Sequence, residues 1–294
     1  MKKMKIVTHA GSFHLDDLFA IATISLIYPD IEIVRSRDKS EAASADFVVD
    51  VGDVNDTEKN RFDHHQPGGA GVRENGVPYA SFGLVWKKFG TEVSGGDARV
   101  QDLVDKKMVQ PIDAADNGFN MYRETKSGLS PYLLDNAFKA LTPTWRDEGT
   151  VDDTFTRILP LAREILLMEI KKAKYFFEDT EIVKEAYKNA PDKRIIVLEH
   201  PLAWKSVISR KNEPIYVIHP NQMTGEWIVA CVRKTPRSHE NRKLLPQAWA
   251  GKRKEDLEKI TGVEGAESCH NKRFIATAWS KEAAVKLAEI AVKN

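Results

Sequence analysis

The residues with the clearest chemical capacity lie in the run Arg61-Phe62-Asp63-His64-His65-Gln66-Pro67. Imidazole and carboxylate groups are the usual ligand types for Mn, Fe, Co and Zn. A carboxylate beside a metal-bound imidazole also fixes the tautomer of that ring. Taken alone, the run fits a turn with two surface histidines better than a metal site. Three other stretches supply matching ligands and reverse that judgement.

The first of these stretches follows a predicted buried strand over residues 5–8. His9 stands at the carboxyl end of that strand, and His14 and Asp16 precede a predicted helix over residues 18–28. Asp16 alone would be a helix cap, because acids are favoured at helix starts. His14 alone would be a loop histidine. Neither interpretation explains why three ligand-type residues crowd one strand-to-helix turn.

Asp50 and Asp116 supply the other two stretches. Asp50 ends a predicted strand over residues 46–53, where a turn or cap is the alternative. Asp116 follows a predicted helix over residues 100–109 and lies one helical turn after Asp113, which could support the site or be a surface charge. Ligands in open α/β sheets gather beyond the carboxyl ends of strands. His9, Asp50 and the run that holds His64 all follow short apolar segments, so we expect them to converge at such an edge.

Together these stretches give six nitrogen and oxygen donors, which suit two divalent metals with one bridging carboxylate. Two metals roughly 3.5–4 Å apart activate water and stabilise the oxygens of an in-line phosphoryl displacement. Mixed histidine and aspartate donors suit Mn²⁺ better than Mg²⁺, which prefers oxygen ligands and retained water. The candidate ligands are His9, His14, Asp16, Asp50, His64 and Asp116.

The pattern changes after a long predicted helix over residues 151–177, in which Pro160 predicts a kink or a later start. Strands are then predicted over residues 194–198, 214–219 and 226–232, and a final amphipathic helix over residues 280–292. We predict an α/β protein of two domains. Residues 1–150 form a parallel-dominated α/β domain that carries the metals and catalysis, residues 151–178 a connector helix, and residues 179–294 a smaller α+β domain that binds substrate.

The overall charge gives no general sign of a nucleic-acid partner, because 44 Lys and Arg face 43 Asp and Glu. The local exception is residues 233–254, the basic segment, which holds eight Lys and Arg, including Arg242 and Lys243, against one acid, Glu240. Trp249 lies within it, so the segment could hold a polyphosphate backbone and stack a base. A solvated surface strip is an equal alternative.

Two cysteines, Cys231 and Cys269, lie far apart and form no CxxC pair. A disulfide scaffold and a cysteine zinc site are therefore not expected. His9 interrupts the N-terminal region before any long apolar run, so no signal peptide is expected, and no apolar run approaches a membrane span. We expect a reducing, cytoplasmic compartment.

The sequence resembles the Myg exonuclease branch of the DHH phosphoesterase superfamily. The set of four motifs is specific, although a single motif is not, and the likeness extends over nearly the whole chain. Further similar stretches are residues 82–90 and 245–251. The four motifs are Thr-His-Ala-Gly-Ser-Phe-His-Leu-Asp-Asp (8–17), Val-Asp-Val-Gly (49–52), Phe-Asp-His-His-Gln (62–66) and Ile-Asp-Ala-Ala-Asp-Asn-Gly (112–118).

The resemblance implies two metal sites that share a bridging aspartate. It also implies that Asp63 supports the histidine pair from behind, and that His65 meets the phosphate or protonates the leaving oxygen. The implied ligand sets are His9, His14 and Asp50 for one ion, and Asp16, Asp50, His64 and Asp116 for the other.

Two departures from the superfamily stand out. His14 occupies a position where the superfamily at large has aspartate, although the Myg branch uses this histidine. The branch also tends to carry Gly-Gly in its C-terminal domain, where this chain reads Phe-Ile-Ala-Thr over residues 274–277. The resemblance places a substrate pocket there, formed by His270, Lys272 and Arg273.

The favoured function is a Mn²⁺-dependent phosphodiesterase, a 3′–5′ exonuclease that acts on RNA or short oligonucleotides through a water activated by two metals. One alternative is a hydrolase of a small phosphoanhydride or cyclic dinucleotide. Another is a metal-stabilised binding protein without turnover, against which the full ligand set argues. Oligomers are compatible with the sequence.

Overall fold

The computed structural model describes residues 3–119, 121–122 and 128–294. The chain divides into two compact units, one ending at Lys174 and the other spanning Tyr175–Asn294. Each unit contains a five-stranded sheet with helices, so the predicted α/β class is confirmed. Among the helices in the described part of the chain, none has the length and apolar character needed to cross a membrane.

The first unit alternates strands and helices along the chain. A short 3₁₀ turn lies at Thr57–Lys59, and one wider helical turn, Asp105–Val109, joins the fourth helix to the fifth. Its elements are β1 (Met4–Thr8), α1 (Leu15–Ile27), β2 (Ile31–Arg35), α2 (Lys39–Ser44), β3 (Phe47–Val49), β4 (Asn55–Asp56), β5 (Arg61–Phe62), α3 (Ser81–Val93), α4 (Ala98–Val104), α5 (Gln110–Asp116), α6 (Leu134–Lys139) and α7 (Val151–Asn189), which runs on into the second unit.

The strand order of the first sheet is β2-β1-β3-β5-β4. Strands β2, β1, β3 and β5 pair in parallel, and β4 runs antiparallel to β5. Three parallel strands therefore end at the same edge, at Thr8, Val49 and Phe62. The residues that follow these strands enter one region of space, as the sequence predicts.

Helix α1 is the buried centre of the first unit. Its residues from Leu18 to Ser25 are buried, and it packs against α3, where Phe19 stacks on Phe82 with ring centroids 5.7 Å apart. Fully burying one such apolar side chain stabilises the fold by about 1.5–3 kcal/mol. The helix begins earlier than predicted, at Leu15, because the Asp17 carboxylate accepts the backbone amide of His14 at 2.9 Å.

The first turn of α3 is held by carboxylates from other parts of the chain. Ala80, which precedes the helix, has no side chain that can cap it. The Asp16 carboxylate instead accepts the backbone amides of Ser81 at 3.0 Å and Phe82 at 2.7 Å, and Asp113 accepts that of Gly83 at 3.0 Å. Amides at a helix start lack partners inside the helix, so these acids fix α3 against α1 and α5.

Asp113 is fully buried, which excludes the surface charge considered from the sequence. Its carboxylate lies 2.7 Å from the guanidinium of Arg73, which also bonds to Asp105 at 3.1 Å and lies over the Tyr79 ring. Burial raises the pKa of Asp113 to about 7, although Arg73 opposes this. Asp113 therefore anchors the framework behind the site.

The second unit has the strand order β6-β7-β8-β10-β9, in which β6 and β7 are parallel and the other pairs antiparallel. One core cluster packs α10 against this sheet, and another includes Val183 of α7 with Trp204 and Ile208. The elements are β6 (Ile195–Val197), α8 (Lys205–Ile208), β7 (Tyr216–Pro220), β8 (Trp227–Cys231), α9 (Lys254–Thr261), β9 (Ala266–Cys269), β10 (Ile275–Ala278) and α10 (Lys281–Lys293).

Two elements differ from the sequence prediction. Helix α7 continues through Pro160 and on to Asn189, because Phe155, Ile158 and Ala162 are buried on both sides of the proline and hold the helix. The third strand is only three residues long, since the backbone of Asp50 turns into the left-handed region directly after Val49.

Replacing Gly83 by alanine should destabilise the first unit. A Cβ at this position would lie 1.9 Å from Oδ2 of Asp113, and such overpacking costs about 1–3 kcal/mol. We expect thermal unfolding of Gly83→Ala to shift down by roughly 2–10 °C. Glu92→Ala, at an exposed position of the same helix, is the control and should stay within about 1 °C. An unchanged midpoint for Gly83→Ala would contradict this packing.

Candidate metal centre

Four segments of the first unit bring histidine and aspartate side chains together at the carboxyl edge of its sheet. His9 follows β1, Asp50 follows β3, His64 follows β5, and Asp116 ends α5. The Asp50 carboxylate lies 3.3 Å from Nε2 of both His9 and His64. Asp116 lies 3.0 Å from Nε2 of His64 and 3.5 Å from Nδ1 of His14.

Asp50 occupies the middle of this arrangement through an unusual backbone geometry. Its φ is +56°, which costs free energy for a residue with a side chain, although Asp tolerates it better than most. Its amide still donates to the carbonyl of Phe62 at 2.9 Å, and Ser81 donates a hydroxyl to Oδ1 at 3.2 Å. The turn thus points the carboxylate between the two imidazoles.

His9 is oriented by contacts at both ring nitrogens. Its Nδ1 lies 3.3 Å from the carbonyl of Ala10, so a proton on Nδ1 leaves the lone pair on Nε2. That Nε2 faces the carboxylates of Asp17 and Asp50, each at 3.3 Å. Asp17 is not among the ligands predicted from the sequence. Its position directly after Asp16 was the one signal that could have placed it here.

A second ligand group lies around His64. The ligand atoms of Asp16, His64 and Asp116 lie within 4.8 Å of one another, as do those of His9, His14 and Asp50. The Asp16 carboxylate therefore both accepts amides at the start of α3 and lies among the possible metal ligands. His14 is the most open member, with 46% of its side chain exposed.

Asp63 and His65 form a hydrogen-bonded pair at the edge of the centre. Nδ1 of His65 also lies 3.5 Å from Asp50, and His65 forms a third possible ligand group with Asp50 and His64. Asp63 is buried, and its Oδ1 accepts the amides of His64 and His65 at 2.7 and 3.2 Å and the Nδ1 proton of His65 at 2.7 Å. Its Oδ2 accepts the amide of Asp53 at 2.6 Å. The His65 side chain is 54% exposed, so the buried acid holds an accessible imidazole in place.

Several polar atoms at this centre are buried without a hydrogen-bond partner among the residues that the structure describes. In proteins the great majority of buried polar groups have a hydrogen-bond partner, so each exception requires an explanation. These atoms are imidazole nitrogens and carboxylate oxygens, which is the donor set that binds divalent cations once the rings have lost their protons. The residues present therefore fit metal ions. The atoms are Nε2 of His9, Oδ2 of Asp17, Oδ2 of Asp50 and Nε2 of His64.

The charges of these side chains are strongly coupled. Burial opposes the charged form of His64, but Asp116 and Asp50 overcome it and raise its pKa to about 11. Burial likewise disfavours charge on Asp50, yet the His64 and His9 rings hold its pKa well below the usual range. Burial raises the pKa of Asp17 to about 7. Near pH 7, side chains of this centre therefore carry protons at positions that a bound cation would occupy.

Comparison with known proteins identifies the family of this chain. A family model described as "Uncharacterised protein family (UPF0160)", named for MYG1 exonuclease, matches residues 5–292. The chain belongs to this family. The resemblance to the Myg exonuclease family, drawn from four motifs that all supply residues to this centre or its support, is thereby confirmed.

Named relatives of the MYG1 family align along almost the whole chain. The MYG1 exonuclease of Homo sapiens is 32% identical, over 98% of this chain and 85% of its own length. The MYG1 protein of Dictyostelium discoideum is 30% identical, over 98% and 96%. That of Saccharomyces cerevisiae is 31% identical, over 98% and 95%.

The residues that the sequence assigns to substrate binding in this MYG1-family chain all lie in the second unit, and two of them bond within it. The Arg242 guanidinium donates to the carbonyls of Ser209, Asn212, Pro214 and Arg233. Nζ of Lys243 donates to the carbonyl of Val292 at 2.9 Å, near the end of α10. These contacts favour structural roles for both residues over the predicted contact with a phosphate backbone.

The remaining three predicted substrate residues lie in the exposed turn between β9 and β10. Nδ1 of His270 accepts the amide of Lys272 at 3.0 Å, which leaves a proton on Nε2, and the Lys272 side chain is exposed. Arg273 has a φ of +58° and donates to the carbonyl of Leu245 at 3.1 Å. The turn therefore offers His270 and Lys272 to a ligand, whereas Arg273 ties it to the basic segment.

Trp249 does not fit the base-stacking role considered for the basic segment. Its side chain is 3% exposed and belongs to the core cluster under α10. A ring enclosed in this way cannot stack on a nucleotide. The aromatic residue in the basic segment is explained by packing.

Cation binding at the centre should release protons. Because the pKa of His64 is about 11, its ring is protonated at pH 7, and a cation can bind Nε2 only by displacing that proton. We expect Mn²⁺ affinity to rise with pH between 6 and 9 and about one proton to leave His64 per protein. Calorimetric titration at pH 7 in two buffers of different protonation enthalpy measures this. Equal heats in the two buffers would refute proton release. The His64→Gln variant should lack the proton that His64 releases when Mn²⁺ binds.

Proposed function

We propose that this chain is a metal-dependent phosphodiesterase of the DHH type and acts as a 3′–5′ exonuclease on RNA or short oligonucleotides. The observation that carries the proposal is the convergence of histidine and aspartate ligand atoms around Asp50. Asp50 groups with His9 and His14 on one side and lies 3.3 Å from the His64 ring on the other. The names of the human and cattle relatives, both MYG1 exonucleases, support nuclease chemistry.

The geometry supports two cation sites. His9, His14 and Asp50 would hold one ion, and Asp16, His64 and Asp116 the other, with Asp50 contributing to both. Mn²⁺ suits this mixture of imidazole and carboxylate best, with Mg²⁺ as the alternative. Such ions supply Lewis acidity for an in-line phosphoryl displacement and lower the pKa of water.

His65 is the residue proposed for proton transfer. Its Nδ1 is fixed by Asp63 at 2.7 Å, and half of its side chain is open to solvent. A neutral ring with its proton on Nδ1 can accept a proton at Nε2, and the protonated ring can then give that proton to the leaving oxygen. Asp63 is a positioning residue, since its four hydrogen bonds leave it no role at the substrate.

The proposed domain organisation keeps catalysis in residues 1–150, a connector helix over residues 151–178 and substrate binding in residues 179–294. With Arg242 and Lys243 bonded internally, exposed cations such as Lys272 and Arg253 are the better candidates for contact with a phosphate backbone. A reducing, cytoplasmic compartment is a further part of this proposal, with which oligomers are compatible.

A hydrolase of a small phosphoanhydride or cyclic dinucleotide is the rival enzyme, and a binding protein without turnover the rival outside catalysis. The rival enzyme stays an alternative because several residues of the basic segment bond or pack within the fold, so the segment is weaker evidence for a polynucleotide substrate than its composition suggests. The binding protein is disfavoured by an accessible, oriented His65, which cation binding alone would not require.

Release of mononucleotides from an end-labelled oligoribonucleotide tests the proposed activity. We expect stepwise shortening from the 3′ end with Mn²⁺ and none with EDTA, because the chemistry requires the cations. Parallel reactions with a 3′-blocked substrate establish the direction. If Mn²⁺-loaded protein leaves the oligonucleotide intact but hydrolyses a small phosphoanhydride, the rival enzyme is correct.

Substitutions at Asp50 and His65 should separate cation binding from turnover. Asp50→Ala should abolish both Mn²⁺ binding and hydrolysis, because it removes the carboxylate shared by the two groups. His65→Ala should keep Mn²⁺ binding and slow hydrolysis by roughly two to four decades. His200→Ala, an exposed histidine of the second unit, is the matched control. Loss of Mn²⁺ from His65→Ala would instead make His65 a ligand.

A further inference from the structure

A cavity of about 810 Å³ lies directly beside the metal centre in the first unit. His14, His65 and Asp116 form one of its sides. Ligand sites in proteins commonly enclose about 300–1,000 Å³, so the space suits an organic molecule larger than a phosphate group. The residues that line the cavity indicate which chemical groups that molecule would have.

The rest of the cavity offers a mainly apolar surface. Tyr122, Leu133 and Leu134 line it, and polar surface contributes the smaller part of the wall. The leucines stand at the start of α6, which is held by Phe138, a buried ring 6.2 Å from Phe19 of α1. An inorganic phosphoanhydride is polar throughout, so it would gain no binding free energy from an apolar wall beside the cation ligands.

A nucleotide matches both parts of this surface. Its phosphate suits the cation centre, and its base presents a flat apolar face that packs on aromatic and aliphatic side chains. The ion pair between Asp135 and Lys139, at 2.8 Å on the same rim, provides an acceptor and a donor near the polar edges of a base or sugar.

We propose that this cavity holds the base and sugar of the terminal nucleotide that the enzyme releases. The inference rests on the proposed exonuclease function and adds the site of the departing nucleotide. Water oxygen forms the new bond to phosphorus, the bond from phosphorus to O3′ of the penultimate nucleotide breaks, and O3′ takes up a proton. The phosphate stays on the nucleoside in the cavity, so the product is a nucleoside 5′-monophosphate.

The test compares two phosphate monoesters that differ only in the base, AMP and ribose 5-phosphate, by titration into Mn²⁺-loaded protein. The apolar wall should give AMP at least about fivefold higher affinity, since packing of a base is worth roughly 1–3 kcal/mol. Equal affinities would overturn the proposal. The titration needs no turnover, so its result is independent of whether oligonucleotides are cleaved.

Two variants locate the effect in the cavity. Leu134→Asn removes apolar surface without adding charge, at a position 39% exposed, and should weaken AMP binding about tenfold while ribose 5-phosphate binding stays within about twofold. Leu141→Asn, at a leucine 42% exposed and absent from the cavity wall, is the matched control. Tyr122→Ala tests the aromatic contact independently. AMP binding unchanged in both Leu134→Asn and Tyr122→Ala would overturn the proposal.

The outcomes also separate this inference from the function on which it rests. Protein that degrades the oligoribonucleotide but shows no preference for AMP keeps the exonuclease function and loses the cavity assignment. Protein that prefers AMP through Leu134 but degrades no oligonucleotide supports the nucleotide cavity and refutes the exonuclease function.

Discussion

The first unit depends on the placement of one carboxylate. Asp50 stands where β3 ends, with a left-handed backbone and with imidazoles 3.3 Å away on two sides. The parallel pairing of β3 with β1 and β5 brings those imidazoles there, because His9 and His64 leave the neighbouring strands at the same edge. A change in strand register would reverse the facing of the side chains and separate the group. Sheet register and site geometry are thus one constraint.

Much of this arrangement could be predicted because it depends on strand ends. A histidine or aspartate directly after a short apolar run marks a carboxyl end, and parallel pairing brings such ends together. What escaped prediction depends on side-chain direction across long separations. Asp17 faces His9, and Asp113 bonds to Gly83 and Arg73. No pattern in the sequence states which of several neighbouring acids points inward.

The second unit shows the complementary difficulty. Composition identified a basic segment, but composition does not reveal what a cation bonds to. Arg242 donates to four backbone carbonyls and Lys243 to one more, so both satisfy acceptors that the irregular chain leaves open. Trp249 is likewise used by the core. Helix α7 likewise continues past Pro160, because the burial of side chains before and after the proline outweighs the low helix propensity of proline itself.

The contacts at the start of α3 have an electrostatic consequence for the centre. A helix carries a partial positive charge at its first turn, and acids there are stabilised. Helices α1 and α3 both begin at the acidic cluster, and Asp16 belongs to the first turn of α1 while accepting amides from that of α3. Two helix macrodipoles therefore point their positive ends at the crowded carboxylates. Part of the repulsion among these acids is offset by the backbone, so the site can be shaped before any cation arrives.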